Sequence, residues 1–182
     1  MSNYITSNFS NLIFSCSVPS QWHMEHRVPD HCVVFVRQGK LLISDKGRTE
    51  EIPAGSCVFL KKDCSVRLVK ASFAGKNYEG LNIRLPQNIL EDYFQRHLKN
   101  NEFPQDFTGL SNCFMRLNRT LCLQGLLSSI ILFVEEGQDP GQEMTELKVE
   151  ELILDLLQTN IRFFPTLFDF YRDWNVDLKE FM

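Results

Sequence analysis

Between Cys32 and Leu85 the apolar residues come in short β-branched and aromatic runs, each cut off by turn-forming residues. That spacing predicts an all-β barrel or sandwich. Val33–Val36 and Leu41–Ile43 flank Arg37-Gln38-Gly39-Lys40, and Asp45-Lys46-Gly47-Arg48 follows as a second turn, so the stretch predicts successive hairpins. Glu51-Ile52-Pro53-Ala54-Gly55-Ser56 leads into Cys57–Leu60, a Lys61-Lys62-Asp63 turn leads into Ser65–Val69, and Tyr78–Leu85 is the last strand before Pro86. In that strand Leu81, Ile83 and Leu85 alternate with Gly80, Asn82 and Arg84, which predicts one apolar and one polar face and hence a half-buried strand.

After Pro86 the period changes. Ile89, Leu90, Tyr93, Phe94 and His97 recur at helical spacing up to Lys99-Asn100-Asn101, and residues 102 to 117 form an irregular connection. Two longer helices follow, Thr120–Glu136 stopped by Gly137 and Glu143–Asn160, joined by Gln138-Asp139-Pro140-Gly141 as an antiparallel hairpin. The first has a core stripe of Leu123, Leu126, Leu127, Ile130, Phe133 and Val134; the second has Val149, Leu152, Ile153, Leu156 and Leu157. Both also carry a second face, Leu121, Gly125, Ser128 and Leu132 on one and Leu147 and Leu154 on the other. A helix apolar beyond one stripe is buried on more than one side. Those faces either pack onto the barrel and the aromatic C-terminal stretch or pair with another subunit, and the prevalence of symmetric dimers favours the subunit interface. Phe163, Phe164, Phe168, Phe170, Tyr171 and Trp174, with Pro165 suited to a first turn, predict a packing helix that closes the domain. Asp177 three residues before Glu180 is an Asp version of a capping box, and the apolar period begun by Leu178 and Phe181 reaches Met182 after one turn. It is expected to be the start of a linker or helix into a further domain, since an isolated turn is not self-sustaining. The organisation expected is thus a barrel with an N-terminal arm over 1–86, a helical region over 87–174 and that linker over 175–182.

With 182 residues, 43% of them hydrophobic, the chain can bury one sizeable core. A net charge of -4 with scattered Lys and Arg argues against a direct grip on a phosphate backbone. Cys16, Cys32, Cys57, Cys64, Cys113 and Cys122 form no C-x-x-C pair and are expected to be reduced thiols, mostly buried. The N-terminus has no basic region, its apolar run Leu12–Phe14 is broken at once by polar residues, and Gly125–Val134 is short of the roughly 20 residues a membrane span needs. A cytoplasmic protein without membrane contact is expected.

The order of these features carries a resemblance. Val33-Val34-Phe35-Val36-Arg37-Gln38-Gly39, the Ile52-Pro53-Ala54-Gly55-Ser56 turn, the strand end Asn82-Ile83-Arg84-Leu85-Pro86 and the helix Leu147-Lys148-Val149-Glu150-Glu151-Leu152-Ile153-Leu154-Asp155-Leu156-Leu157 together resemble the N-terminal region of AraC-type transcription regulators. The similarity spans roughly Trp22 to Met182 and rests on order more than on any rare motif. It implies an α+β chain, a cupin-like double-stranded β-helix (jelly-roll) barrel followed by an antiparallel helical hairpin. It also implies a sensor and dimerisation domain that controls a C-terminal helix-turn-helix domain absent from this chain, with DNA contacted only through that domain. Where many barrels of the family place proline and histidine after the Ala-Gly turn, this chain reads Phe59-Leu60-Lys61-Lys62-Asp63-Cys64-Ser65-Val66. The departure argues against a sugar effector and looks closer to the type III secretion activators, whose effectors include partner proteins.

Two other functions compete with this one, a metal-dependent cupin enzyme (isomerase or dioxygenase) and a stand-alone protein-interaction module. The enzyme needs converging histidines, yet His31 stands alone at the first strand and no histidine lies between it and His97; His23 and His26 with Glu25 offer only a fortuitous set. Neither a phosphate loop nor a nucleophile elbow occurs, and Asp63, Cys64 and Ser65 are strand neighbours that point to opposite faces. The expectation is therefore no catalytic residue, no metal and no cofactor. For an effector, a small molecule or a protein, Trp22, His31, Tyr78, Asn82 and Arg84 are the candidates because they combine apolar walls with oriented polar groups. Leu121, Gly125, Ser128, Leu132, Leu147 and Leu154 are the candidate residues of a homodimer interface.

Overall fold

The computed structural model of the chain describes residues 5–19, 21–98 and 108–170. The anticipated helix end at Lys99-Asn100-Asn101, Tyr171, Trp174 and the Asp177–Glu180 capping pattern lie outside the described residues. Strands begin well before Cys32: β1 (Ile5–Phe9), β2 (Ile13–Val18) and β3 (Trp22–Arg27) precede β4 (His31–Gln38), β5 (Lys40–Asp45), β6 (Arg48–Pro53), β7 (Cys57–Leu60), β8 (Ser65–Ala71) and β9 (Tyr78–Leu85). A short β10 (Phe114–Arg116) lies inside the stretch expected to be irregular. It pairs antiparallel with β7, Phe114 opposite Leu60, and is held by backbone pairing that a three-residue run does not advertise in its sequence.

Two antiparallel sheets result, β1-β2-β9-β4-β7-β10 and β3-β8-β5-β6, facing one another as a barrel. The six-stranded sheet is covered on both sides. Pairs such as Val33↔Ile83 and Phe35↔Leu81 share one face, and Val34↔Asn82 and Val36↔Gly80 the other. Val33, Phe59, Leu81, Ile83 and Leu85 join a core with the helices, whereas Val34, Val36, Val58, Leu60 and Tyr78 join the barrel interior. This explains why all four residues of β7 are buried. It also corrects the half-buried picture of β9: its apolar side packs on helices, and its polar side looks into the barrel.

The helices follow the predicted periods closely. After α1 (Gln87–Tyr93) and a π-helical turn at Phe94–Leu98 come α2 (Leu121–Glu136), α3 (Gln142–Thr159) and the short α4 (Phe163–Leu167). Helix α2 ends in a Schellman motif: Gly137 takes φ 63, and Gln138 N–H donates to the Phe133 carbonyl at 3.0 Å. At its start, Thr120 Oγ1 accepts from the Leu123 N–H at 2.9 Å and donates to Asp155 Oδ1 of α3 at 2.8 Å. Asp155 is buried, so the cap of one helix also satisfies a carboxylate of its neighbour.

His31 belongs to this core. It is 1% exposed, stacks on Phe59 at 5.5 Å and accepts the Lys62 N–H at Nδ1 (3.1 Å). Phe59 in turn meets Phe163 of α4 edge-on at 5.0 Å. Burial first, and nearby Lys62 second, lower the imidazole pKa from 6.5 to about 4, opposed by Asp169. The folded state thus resists a proton that the unfolded chain accepts near 6.5. Stability from neutral His31 is fully present above that pH, is lost as pH falls from 6.5 to about 4, and changes no further below.

Two outcomes follow for chemical denaturation. Thr120→Ala is expected to cost about 2–3 kcal/mol, from the lost cap and the buried carboxylate left short of a partner, with Thr120→Ser close to the parent. A loss under about 0.5 kcal/mol, typical of a neutral surface change, would contradict the coupling. Between pH 7.5 and 4 the parent is expected to lose roughly 3 kcal/mol more than His31→Gln; parallel stability curves for the two would refute the neutral-core assignment.

Candidate functional site

Strand alternation decides which side chains enter the barrel. On β8, Val66, Leu68 and Lys70 point inward, and the β3 residues paired with them are His26, Met24 and Trp22. On β9, Tyr78, Gly80 and Asn82 face the same space, opposite Val18, Cys16 and Phe14 of β2. A polar cluster therefore sits between the two sheets, centred on a lysine.

Lys70 is only 9% exposed. Its Nζ lies 3.4 Å from Cys16 Sγ, 5.1 Å from the centre of the Trp22 ring and 5.4 Å from that of Tyr78. Among the described residues these are its hydrogen-bond and ring partners, and no carboxylate pairs with it. Two π faces and a thiol offset part of the cost of removing an ammonium from water, but they do not neutralise it. Beside it the Tyr78 hydroxyl is buried with no hydrogen-bond partner among the described residues. Burial pushes that phenol up, so it stays a neutral donor. A Cβ at Gly80 would stand 2.5 Å from the Tyr78 hydroxyl, so the ring can cross the strand only over a glycine. Asn82 Nδ2 reaches Cys16 Sγ at 3.7 Å, and the His26 imidazole is held below its usual pKa by burial first and Lys70 second. An unpaired cation, an idle donor and aromatic walls are an arrangement suited to an anion carrying apolar bulk.

Of the five residues anticipated for an effector, the fold gathers Trp22, Tyr78 and Asn82 around Lys70 and Cys16. Arg84 lies farther along the same face, above the Phe14 ring at 5.9 Å, and is already paired with Asp30. His31 is on the opposite side of the sheet, against the helices. Neither Lys70 nor Cys16 is among the effector residues the sequence points to, although position 70 continues the inward alternation of Val66 and Leu68. The six candidate interface residues are all exposed: Leu121 (87%), Leu132, Leu147 and Leu154, with Gly125 and Ser128 between them on α2.

An open groove lies elsewhere. It measures about 600 Å³ and runs between the Pro53–Cys57 turn, Arg116–Arg119 and α2, touching none of the five anticipated residues. Arg116 is engaged there by Ser56 at 2.9 Å. His23 and His26 fall on opposite faces of β3, and among the described residues no group of three or more His, Cys, Asp or Glu could hold a metal ion. Among the same residues no helix is long and apolar enough to cross a membrane.

Residues 31–163 match the ExsA N-terminal regulatory domain family. Among solved structures, apo ToxT from Vibrio cholerae, as a lysine-to-alanine variant, is similar with a TM-score of 0.59 at 14% identity, over 84% of this chain and 58% of that one. Wild-type ToxT from Vibrio cholerae with a bound unsaturated fatty acid gives 0.56 at 12% identity, over 81% and 53%. Vibrio cholerae ToxT bound to (E)-4-(8-methylnaphthalen-1-yl)but-3-enoic acid gives 0.54 at 13% identity, over 81% and 55%. The chain spans little more than half the length of these ToxT chains. No curated protein matches it in sequence. At such identities the likeness speaks for the fold, a cupin-like β barrel with helices. Family membership rests on the match over 31–163: the chain belongs to the ExsA N-terminal regulatory domain family, the regulatory domains of AraC-type activators.

Proposed function

We propose that this domain senses a small anionic amphiphile, a carboxylate with an apolar tail, at the Lys70 end of its barrel. The carrying observation is the buried Lys70 ammonium, which among the described residues has no carboxylate partner and lies next to a Tyr78 hydroxyl without a hydrogen-bond partner. The two ligands seen in ToxT, an unsaturated fatty acid and a naphthalenyl butenoic acid, share that chemistry and support the reading. Lys70 and Tyr78 would hold the carboxylate, and Trp22 and Phe14 would flank the tail. The domain performs no catalysis; it reports occupancy to a helix-turn-helix region outside this chain, which alone contacts DNA, in keeping with the net charge of -4. The exposed faces of α2 and α3 pair two subunits in a cytoplasmic homodimer. An effector moves such a system only through different affinities for two states, so occupancy and DNA-binding geometry must be thermodynamically linked.

Calorimetry with an unsaturated fatty acid below its micellar concentration tests the site. Lys70→Gln is expected to weaken binding roughly ten- to a hundredfold, the value of a charge-assisted hydrogen bond, while the matching fatty alcohol binds the parent protein equally poorly. Unchanged affinity in Lys70→Gln together with loss in Arg119→Gln would place the anion in the α2 groove instead. For the pairing faces, light scattering should give a dimer for the parent and a monomer for Leu132→Glu or Leu147→Glu, with thermal stability of the fold preserved because both leucines are exposed. A monomeric parent at high concentration would rule the interface out.

A further inference from the structure

Two thiols from distant parts of the chain meet where the barrel hands over to the helices. Cys64 closes the turn between β7 and β8, and its carbonyl accepts the Val28 N–H at 2.9 Å. Cys113 stands just before β10, and its carbonyl accepts the Lys61 N–H at 2.8 Å. Lys61 and Cys64 are the two ends of one turn, closed by Asp63 at φ 60, so both cysteine backbones are anchored to the same short stretch. Cys64 packs against the interior cluster that contains Cys113. The Cys113 thiol faces both the Cys64 thiol and the Asp45 carboxylate. Both cysteines are free; Cys64 is partly exposed and Cys113 buried.

We propose that Cys64 and Cys113 form a reversible regulatory disulfide. A partly exposed thiol with a second thiol beside it has the access and the neighbour that a redox-sensing cysteine and its resolving partner need. Peroxide transfers one oxygen to the Cys64 sulfur, giving a sulfenic acid and releasing one water. The Cys113 sulfur then attacks the Cys64 sulfur, the S–O bond breaks, and the S–S bond forms. The departing hydroxide leaves as a second water with the Cys113 proton, which Asp45 is placed to relay. Two thiols thus lose two electrons to the O–O bond of one peroxide, and a dithiol reductant reverses the change. Because Cys64 is partly exposed and Cys113 buried, Cys64 meets peroxide first.

The location gives the bond a consequence. β10 is the edge strand of its sheet, pairs over three residues only, and runs through Leu117–Thr120 straight into α2. A bridge at Cys113 would pin this connection to the β7–β8 turn. Oxidation would stiffen the joint between barrel and hairpin without any ligand at Lys70, a second input to the same regulator.

The test is peptide mapping by mass spectrometry after treating the full chain with hydrogen peroxide, under non-reducing conditions and in a Cys122→Ser background. The expected product is a Cys64–Cys113 linked peptide, two hydrogens lighter, abolished by dithiothreitol and by Cys64→Ser but retained in Cys16→Ser. Amide exchange over Phe114–Thr120 should slow at least several-fold in the oxidised form. Sulfinic acid at Cys64 without the linked peptide would overturn the disulfide. A linked peptide with unchanged exchange would overturn its regulatory role.

Discussion

A sheet buried on both faces imposes a rule on every strand within it, because period-two alternation then sorts residues between two cores and not between core and water. In the six-stranded sheet, β4, β7 and β9 carry Val33, Phe59 and Leu81 toward the helices and Val34, Val58 and Tyr78 toward the barrel interior. A slip of one residue would exchange the two sets and drive Asn82 and Arg84 into the apolar helix contact. The barrel depends on this register, and so does the seating of α2, α3 and α4, whose buried stripes meet the sheet and not merely one another.

The joint between barrel and hairpin is built mainly by packing, with polar links placed at its ends. Thr120 ties the start of α2 to Asp155 of α3, and Arg37 of β4 reaches Glu135 near the end of α2 at 2.5 Å while facing Glu79 of β9 at 3.7 Å. Arg96, after α1, pairs with Glu150 of α3, pushed up by that hydrogen bond and by Asp92. Ion pairs open to solvent contribute little energy individually. Their role here is orientation: Arg37–Glu135 joins a barrel strand to α2, and Arg96–Glu150 joins the turn after α1 to α3.

The helices were the most legible part of the sequence, since Thr120, Gly137 and the Leu123–Ile130 and Val149–Leu156 stripes are local signals. The alternation in β9 was equally plain, but its direction was not. Leu81, Ile83 and Leu85 say only that one face is apolar; that helices cover that face, leaving the polar one for the barrel interior, is decided by α3 and β4, which are remote in sequence. β3 was hidden because Trp22-His23-Met24-Glu25-His26-Arg27 has few apolar residues and gains its place by pairing with β8. Lys70 was hidden for a related reason. Lysine is rarely buried without a partner, so its side chain carries a surface expectation that only the position of Trp22 and Tyr78 reverses.

The same alternation ties the interior cluster to the hairpin. Tyr78, Gly80 and Asn82 contribute to the space around Lys70, and Leu81 and Ile83, their immediate neighbours along β9, pack in the helix-facing core against which α3 lies. Close-packed interiors do not absorb displacement locally. A strand whose two faces serve two cores cannot shift to accommodate something on one side without changing the contacts on the other. Tyr78 lying across Gly80 sharpens the constraint, because the ring leaves no room for the backbone to yield beneath it. The side chains gathered around Lys70 and the helix-facing core are therefore joined through a single layer of backbone, β9, with Leu81 and Ile83 as its helix-facing residues.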